Sequence, residues 1–120
     1  MITVWATHSF PGWHSWPDAP ASRIYLASPH RHLFHVRADL EVEGLNRTVE
    51  FHDLLSAIRR ACSALGVNSI YGDGRDLGNL SCEMIARLVM DTIRSSWSGA
   101  YVSVEVSEDG EAGARISQVR

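Results

Sequence analysis

The chain has 120 residues, of which 45% are hydrophobic and 21% are charged, and its formal net charge is −3. We expect one globular domain over residues 1–120, because this length can bury a modest core and the composition is not that of a disordered chain. The slightly acidic balance argues against nucleic-acid binding, which needs clustered positive charge. All eleven basic residues are arginines, which excludes sites that depend on a lysine, such as a P-loop.

We also expect a soluble cytoplasmic protein that has no membrane partner. No apolar run approaches the roughly 20 residues that a transmembrane helix needs, and the first residues lack the cationic and apolar pattern of a signal peptide. Cys62 and Cys82 are the two cysteines of the chain. Two cysteines are too few for a disulfide framework and suit a reducing compartment.

The first half of the chain predicts two strands. Residues 2–10 are rich in β-branched and aromatic types and predict the first strand, whereas residues 11–29 hold all four prolines and predict a loop. From His32 onward apolar and polar residues alternate, which is typical of a strand with one buried face. The apolar members of this alternation are Phe34, Val36, Ala38, Leu40 and Val42.

The second half predicts two helices and two more strands. Apolar residues recur at helical spacing from Phe51 to Leu65, and again after Ser81, which is a good N-cap. Between these helices, residues 67–80 predict a structured, glycine-containing loop. Strands are predicted from Tyr101 and over residues 115–119. The predicted fold class is therefore α+β, an antiparallel four-stranded sheet with two helices on one face in the order ββααββ.

The pair His30 and His32 is the first candidate site. Two histidines two positions apart in a strand point to the same face, so both imidazoles can bind one ion. Zinc suits neutral imidazole, and a catalytic zinc site needs three protein ligands. Such a pair by itself is more often made of ordinary surface or core residues, and a third ligand would have to come from His14 or His8.

Three other segments carry polar groups that have structural as well as functional interpretations. The acidic residues of the segment from Glu50 to Asp53 either stabilise the start of a helix through its dipole or belong to a functional site. The loop around Arg75 either holds a phosphate through backbone amides and the guanidinium or is a packed connector. The acidic turn that starts at Glu108 is either solvated or pairs with the amidine edge of a pterin or guanine.

Four segments, taken together and in their order along the chain, resemble the 6-pyruvoyl-tetrahydropterin synthase and 6-carboxytetrahydropterin synthase family. That family has a His-x-His that opens an alternating strand, an acidic residue and Phe at the entry to the first helix, a Thr-x-Glu-like start to the second helix, and a strand that ends in Glu. The matching segments span about residues 10–110 and comprise residues 30–36, 50–54, 81–86 and 104–108.

The resemblance implies a tunnel fold (T-fold), in which the sheets of several subunits join into a barrel. It implies a homo-oligomer, a trimer or hexamer, with active sites between subunits. It also implies one Zn²⁺ per chain, bound by His14, His30 and His32, with His8 as the substitute for His14. Glu108 matches the family residue that binds the ring of a pterin or nucleotide-like ligand.

In this family zinc binds the side-chain hydroxyls of dihydroneopterin triphosphate, while a Cys and an Asp–His pair move protons. Residues 15–29 contain no Cys, and the Asp–His stretch is replaced by residues 71–75. We therefore predict Asp73 and His52 as substitute proton carriers and Arg75 as a substrate-binding residue. Cys82 opens the second helix, where a helix N-terminus favours a thiolate.

The leading interpretation is a zinc-dependent synthase-like protein that acts on dihydroneopterin triphosphate or a related pterin or purine-derived compound. If active, it would be a carbon–oxygen lyase. The alternative is a non-catalytic zinc-containing module that binds or sequesters a pterin or nucleotide. In a third interpretation the zinc has only a structural role, which is to stabilise the oligomer.

Overall fold

The computed structural model describes residues 1–119, which form one sheet with two helices on one of its faces. The helices are α1 (Phe51–Ser63) and α2 (Cys82–Ser96), and a 3₁₀ helix spans Ala21–Ala27. No helix within residues 1–119 is long and apolar enough to cross a bilayer. The strands are β1 (Ile2–His14), β2 (His30–Val42), β3 (Val67–Asn68), β4 (Arg75–Asp76), β5 (Val102–Glu108) and β6 (Ala112–Ser117).

The α+β class is confirmed, but the predicted four-stranded antiparallel sheet and the order ββααββ are wrong in detail. The sheet has six strands in the order β3-β4-β1-β2-β5-β6, and the elements follow one another as ββαββαββ. The sheet is mixed, because β4 pairs with β1 in parallel while the other pairs are antiparallel. The two added strands have two residues each, too few to show an alternating pattern.

The first strand continues through Pro11 to His14, although a loop was predicted from residue 11. The N–H of Leu77 donates to the carbonyl of Trp13 at 2.8 Å, so odd-numbered residues of β1 direct their backbone groups away from β2. Pro11 belongs to this odd set. Its missing N–H therefore removes no bond from the ladder between β1 and β2, and the strand can pass through it.

The core lies between the sheet and the two helices. The predicted inner face of β2 is confirmed, because Phe34, Val36, Ala38 and Leu40 are at most 1% exposed. Phe51 and Met84, in contrast, remain 59% and 49% exposed although the helical spacing predicts both as core. Each lies in the first turn of its helix and borders a surface cavity. The helices contribute fully buried apolar side chains from Leu54, Ile58, Ile85, Val89 and Ile93.

Replacing Gly66 with alanine should destabilise the fold more than the same change at Gly78. Both glycines have a left-handed backbone conformation, with φ of 59° and 61°. This conformation costs a residue that has a Cβ about 1–2 kcal/mol. A Cβ at Gly66 would also overlap the carbonyl of Asp76, whereas one at Gly78 would meet nothing within 4 Å. In urea titrations we expect Gly66→Ala to lower the free energy of unfolding by at least about 1 kcal/mol more than Gly78→Ala. Equal losses would contradict this account.

Candidate metal centre

The register between β1 and β2 brings three histidines together. His14, the last residue of β1, pairs with His30, and Gly12 pairs with His32. Because alternate residues of a strand share a face, His30 and His32 lie on the same face of β2 as the buried Phe34. The three imidazole centroids are separated by 4.6, 5.2 and 5.4 Å.

Glu108, the last residue of β5, adds a carboxylate to these histidines. Its Oε2 atom lies 2.7 Å from Nε2 of His32 and 3.7 Å from Nε2 of His14. One ligand atom from each of the four residues, including His30, lies within 4.8 Å of the other three. Tetrahedral zinc has ligand atoms about 3.3–3.4 Å apart, so small side-chain movements would bring the three histidine nitrogens to one ion, with the Glu108 carboxylate beside it.

Each histidine has a hydrogen-bond acceptor at its Nδ1 atom. A carbonyl oxygen can only accept, so Nδ1 of His14 and of His30 must donate to it, and this leaves their Nε2 lone pairs directed toward the cluster. In His32 both ring nitrogens face carboxylates, so binding of an ion at its Nε2 atom would require the proton to lie on Nδ1. Metal-binding histidines commonly have such a partner, which fixes the tautomer and orients the ring. The acceptors are the carbonyl of Leu80 for His14 (2.8 Å), the carbonyl of Ser28 for His30 (2.9 Å) and Oδ2 of Asp109 for His32 (2.7 Å).

The Nε2 atom of His14 tests whether the cluster fits a cation. Within residues 1–119 it is the buried side-chain nitrogen or oxygen that has no hydrogen-bond partner. Its lone pair faces the Glu108 carboxylate at 3.7 Å, and two electron-rich atoms in such an arrangement are stabilised by a positive ion between them. Burial lowers the pKa of His14, which favours the neutral imidazole that binds metals. The residues present therefore fit a zinc ion.

A cavity of about 550 Å³ opens beside the cluster. His14, His30 and Glu108 line one part of it, and the start of α2 lines another. Its volume is in the range of small-molecule sites. The polar residues Asn79 and Glu83 also line the cavity. Neither is predicted as a site residue from the sequence, although the Thr-x-Glu-like start of the second helix is a signal for Glu83. The other lining residues are Ser15, Trp16, Leu26, Leu80, Ser81, Cys82, Met84, Ala112 and Gly113.

His8 does not belong to the cluster. It lies on the same face of β1 as His14 but six residues earlier, which corresponds to about 20 Å along a strand. Its ring is stacked with that of Phe10 at a centroid distance of 6.2 Å. The structure therefore brings His14, and not His8, to the pair of histidines in β2.

Arg75, predicted to bind substrate, has its guanidinium directed at the end of α1. Nε donates to the carbonyl of Leu65 at 2.9 Å, and the two terminal nitrogens donate to Asn68 Oδ1 at 2.8 Å and to the carbonyl of Gly66 at 3.0 Å. These contacts connect β4 to the segment that follows α1. Arg75 does not line the cavity of its own chain, and its role in binding stays a prediction.

The predicted proton carriers Asp73 and His52 also lie outside this cavity. The carbonyl of Asp73 accepts a hydrogen bond from the Trp13 indole at 3.2 Å, and Trp13 points to the face of β1 opposite His14. His52 has a side chain 88% exposed in the first turn of α1, near the end of β2 that is remote from His30. Within one chain neither residue reaches the histidine cluster, and their catalytic roles stay predictions.

Cys82 begins α2 and lines the cavity. The prediction that its position at the helix start favours a thiolate is wrong. Burial, together with the nearby carboxylates of Glu108 and Glu83, raises the pKa of the Cys82 thiol to about 12. Desolvation of the charged form outweighs the favourable field of the helix N-terminus. The side chain is therefore a neutral thiol near pH 7.

No protein-family model and no curated protein matches the chain. Solved structures do match it. An uncharacterized protein from Wolinella succinogenes has a TM-score of 0.70 at 15% identity and covers 98% of both chains. A 6-pyruvoyltetrahydropterin synthase from Plasmodium vivax has a TM-score of 0.67 at 15% identity, with 98% of this chain and 97% of that chain covered. The Plasmodium falciparum synthase has a TM-score of 0.66 at 12% identity, with 97% and 98% covered. The resemblance predicted from the sequence is thus confirmed at the level of the fold.

Adding a divalent transition metal to the metal-free protein should raise its Tm, and His14→Ala should abolish that rise. A ligand that binds only the folded state stabilises it by about 2.7 kcal/mol at 100 times its Kd. His8→Ala is the matched control, because it removes a histidine from the same face of the same strand but outside the cluster. Thermal unfolding with added metal and with a chelator provides the measurement. A metal-dependent rise that persists in His14→Ala would contradict the assignment of His14.

Proposed function

We propose that this chain, which has the fold of the 6-pyruvoyl tetrahydropterin synthases, is a zinc-dependent synthase-like protein of that type. Its proposed substrate is dihydroneopterin triphosphate or a related pterin or purine-derived compound. The observation that carries the proposal is the convergence of three histidines and Glu108 beside a cavity of about 550 Å³. The synthases from Plasmodium and Caenorhabditis elegans that share the fold support a pterin-type ligand.

His14, His30 and His32 would hold the Zn²⁺ ion through their Nε2 atoms. When bound there, the ion supplies Lewis acidity that makes the protons of ligand hydroxyl groups more acidic. The backbone carbonyls of Leu80 and Ser28 hold the rings of His14 and His30 with Nε2 unprotonated. These two rings therefore do not have to change tautomer before they bind the ion.

The carboxylates of Glu108 and Glu83 are the acidic groups that line the cavity within residues 1–119. A carboxylate can accept two parallel hydrogen bonds from the amidine edge of a pterin, or it can accept a proton. We assign ring binding to Glu108, and Glu83 is the other carboxylate that can reach the same ligand. One neighbouring structure is a Plasmodium vivax synthase in which a catalytic glutamate is replaced by alanine, so a carboxylate serves as a catalytic residue in that protein.

The alternative proposal is a non-catalytic module that holds zinc and a pterin or nucleotide without converting it. The position of the substitute proton carriers favours this alternative, because Asp73 and His52 lie outside the cavity of their own chain. The neutral thiol of Cys82 also provides no nucleophile at pH 7. Loss of general acid–base groups typically lowers a rate by about 10²–10⁴-fold.

Incubation of the zinc-loaded protein with dihydroneopterin triphosphate should release triphosphate in a reaction that His32→Ala abolishes. We expect Glu108→Gln to lower kcat/KM by at least about 10²-fold, because it removes a charge-assisted pair with the ring. Glu83→Gln, tested in parallel, shows which cavity carboxylate carries that pair. His52→Ala, far from the cavity of its own chain, tests whether a neighbouring subunit supplies a proton carrier.

The possible outcomes separate the two proposals. Saturable binding measured by ligand fluorescence, with no triphosphate released, would favour the binding module over the synthase. Neither binding nor release with the zinc-loaded protein would contradict both proposals.

We further propose that the chain forms a homo-oligomer, a trimer or hexamer, through the open edges of its sheet. On one side, β1 pairs with β4 only at Gly12 and Trp13, so residues 2–10 leave a long edge that no other strand of the described chain covers. On the other side, β6 (Ala112–Ser117) ends the sheet. Open strand edges are templates for pairing with another chain.

Thr7→Pro should convert the oligomer to smaller species without unfolding the subunit. Thr7 belongs to the odd-numbered set that directs its N–H away from β2, so proline removes an edge donor and no bond of the ladder between β1 and β2. Native mass spectrometry gives the mass, and circular dichroism reports whether the fold is retained. The matched control is Thr7→Val, which keeps the N–H and a β-branched shape. A wild-type protein that is monomeric at micromolar concentration would contradict the proposal.

A further inference from the structure

Asp109 occupies an unusual backbone position directly after the cluster residue Glu108. Its φ is 57°, in the left-handed region that non-glycine residues seldom adopt. Its N–H donates to the carbonyl of Leu33 at 2.7 Å, and the N–H of Leu33 donates to its Oδ1 atom at 2.8 Å. Residue 109 is therefore attached to β2 one position beyond Phe34, where the pairing of β5 with β2 ends.

The second oxygen of the Asp109 carboxylate contacts the histidine cluster. Oδ2 of Asp109 lies 2.7 Å from Nδ1 of His32. One oxygen is thus held by the backbone of β2, and the other accepts from the imidazole. Although 45% of the side chain is exposed, its orientation is fixed at both oxygens, unlike that of an ordinary surface ion pair.

His32 differs from the other two histidines in the nature of this partner. The Nδ1 atoms of His14 and His30 face backbone carbonyls, whereas that of His32 faces a carboxylate. A carboxylate at the outer nitrogen of a metal-binding histidine fixes the ring and makes Nε2 a stronger ligand. Asp109 lies two residues before Glu111 in an acidic turn. The composition of this turn predicts only solvated carboxylates and does not indicate the contact of Asp109 with His32.

We propose that Asp109 is a positioning residue that orients His32 and strengthens its Nε2 atom as a metal ligand. The inference rests on the proposed zinc site and adds to it the residue that sets the geometry of one ligand. Asp109 itself contacts neither the ion nor the substrate. It acts through His32, and its left-handed conformation is what brings both carboxylate oxygens against β2.

The test compares the zinc affinity of Asp109→Asn and Asp109→Gly with that of the wild-type protein, by competition with a chelator. Glycine adopts the left-handed conformation freely and removes the carboxylate, so the turn is retained while the contact is lost. Asparagine also tolerates this conformation and keeps an oxygen for the N–H of Leu33, but it presents an amide NH₂ to Nδ1–H of His32. The matched control is Glu111→Gln, which removes a negative charge from the same turn without altering the contact with His32.

We expect both Asp109 variants to bind zinc about 10–100-fold more weakly, and Glu111→Gln to stay within about twofold of the wild type. A purely structural role in the turn would leave Asp109→Asn at the wild-type affinity, and that result would overturn the proposal. In the zinc-loaded wild-type protein, the ¹H–¹⁵N spectrum should show a slowly exchanging Nδ1–H of His32. This signal should be lost in Asp109→Gly, and its persistence there would also overturn the proposal.

Failure of the wild-type protein to bind zinc is a different result. It would overturn the proposed zinc site itself. Equal zinc binding by the wild-type protein and both variants would instead overturn only the role of Asp109. Circular dichroism and urea unfolding of each variant establish that any loss of affinity occurs in a folded chain.

Discussion

The antiparallel ladder between β1 and β2, thirteen residues in each strand, is the constraint on which the fold and the candidate site both depend. In a strand the side-chain period is two, so a slip of one residue would turn every side chain to the other face. The alternation that buries Phe34 and Val36 against the helices therefore also places His30 and His32 on that face. The hydrophobic effect, acting along the whole length of β2, in this way sets the register of two candidate metal ligands at its end.

The hydrogen bonds at the outer nitrogens couple the site to parts of the chain that are far apart in sequence. The Leu80 carbonyl, which orients His14, belongs to the turn before α2, 66 residues later. Asp109, which orients His32, follows β5 and is 77 residues away. The geometry of the histidines thus depends on the packing of α2 and β5 against the sheet. The site is a property of the folded chain and not of a local motif.

The sequence predicts those features that have a period or a local chemical signature. The inner face of β2 follows from alternation, and the N-cap at Ser81 accepts from the N–H of Met84 as its residue type predicts. The two-residue strands β3 and β4 have no period to detect. The continuation of β1 through Pro11 depends on which neighbour its backbone faces, and this is decided by tertiary pairing.

The candidate site shows the same division. The pair His30 and His32 is visible in the sequence, whereas the choice of His14 over His8 requires the register of β1. The neutral state of the Cys82 thiol depends on burial, which a helix-start position does not reveal. The two contacts of the Asp109 carboxylate, with His32 and with the N–H of Leu33, depend on a left-handed backbone conformation. The acidic sequence of the turn does not predict this conformation.

The connection between β1 and β2 has a consequence for how such a site can diversify. The two ladder strands are joined by residues 15–29, and not by a tight turn, and this segment supplies Trp16 and Leu26 to the cavity wall. The long ladder on either side sets the histidine register, and within this segment the carbonyl of Ser28 orients the ring of His30. Changes near Trp16 or Leu26 that leave Ser28 in position can therefore reshape the cavity while the three imidazoles stay in place. The candidate metal-binding histidines lie on β1 and β2, whereas this part of the cavity wall lies on the connection between them, so the two can change independently.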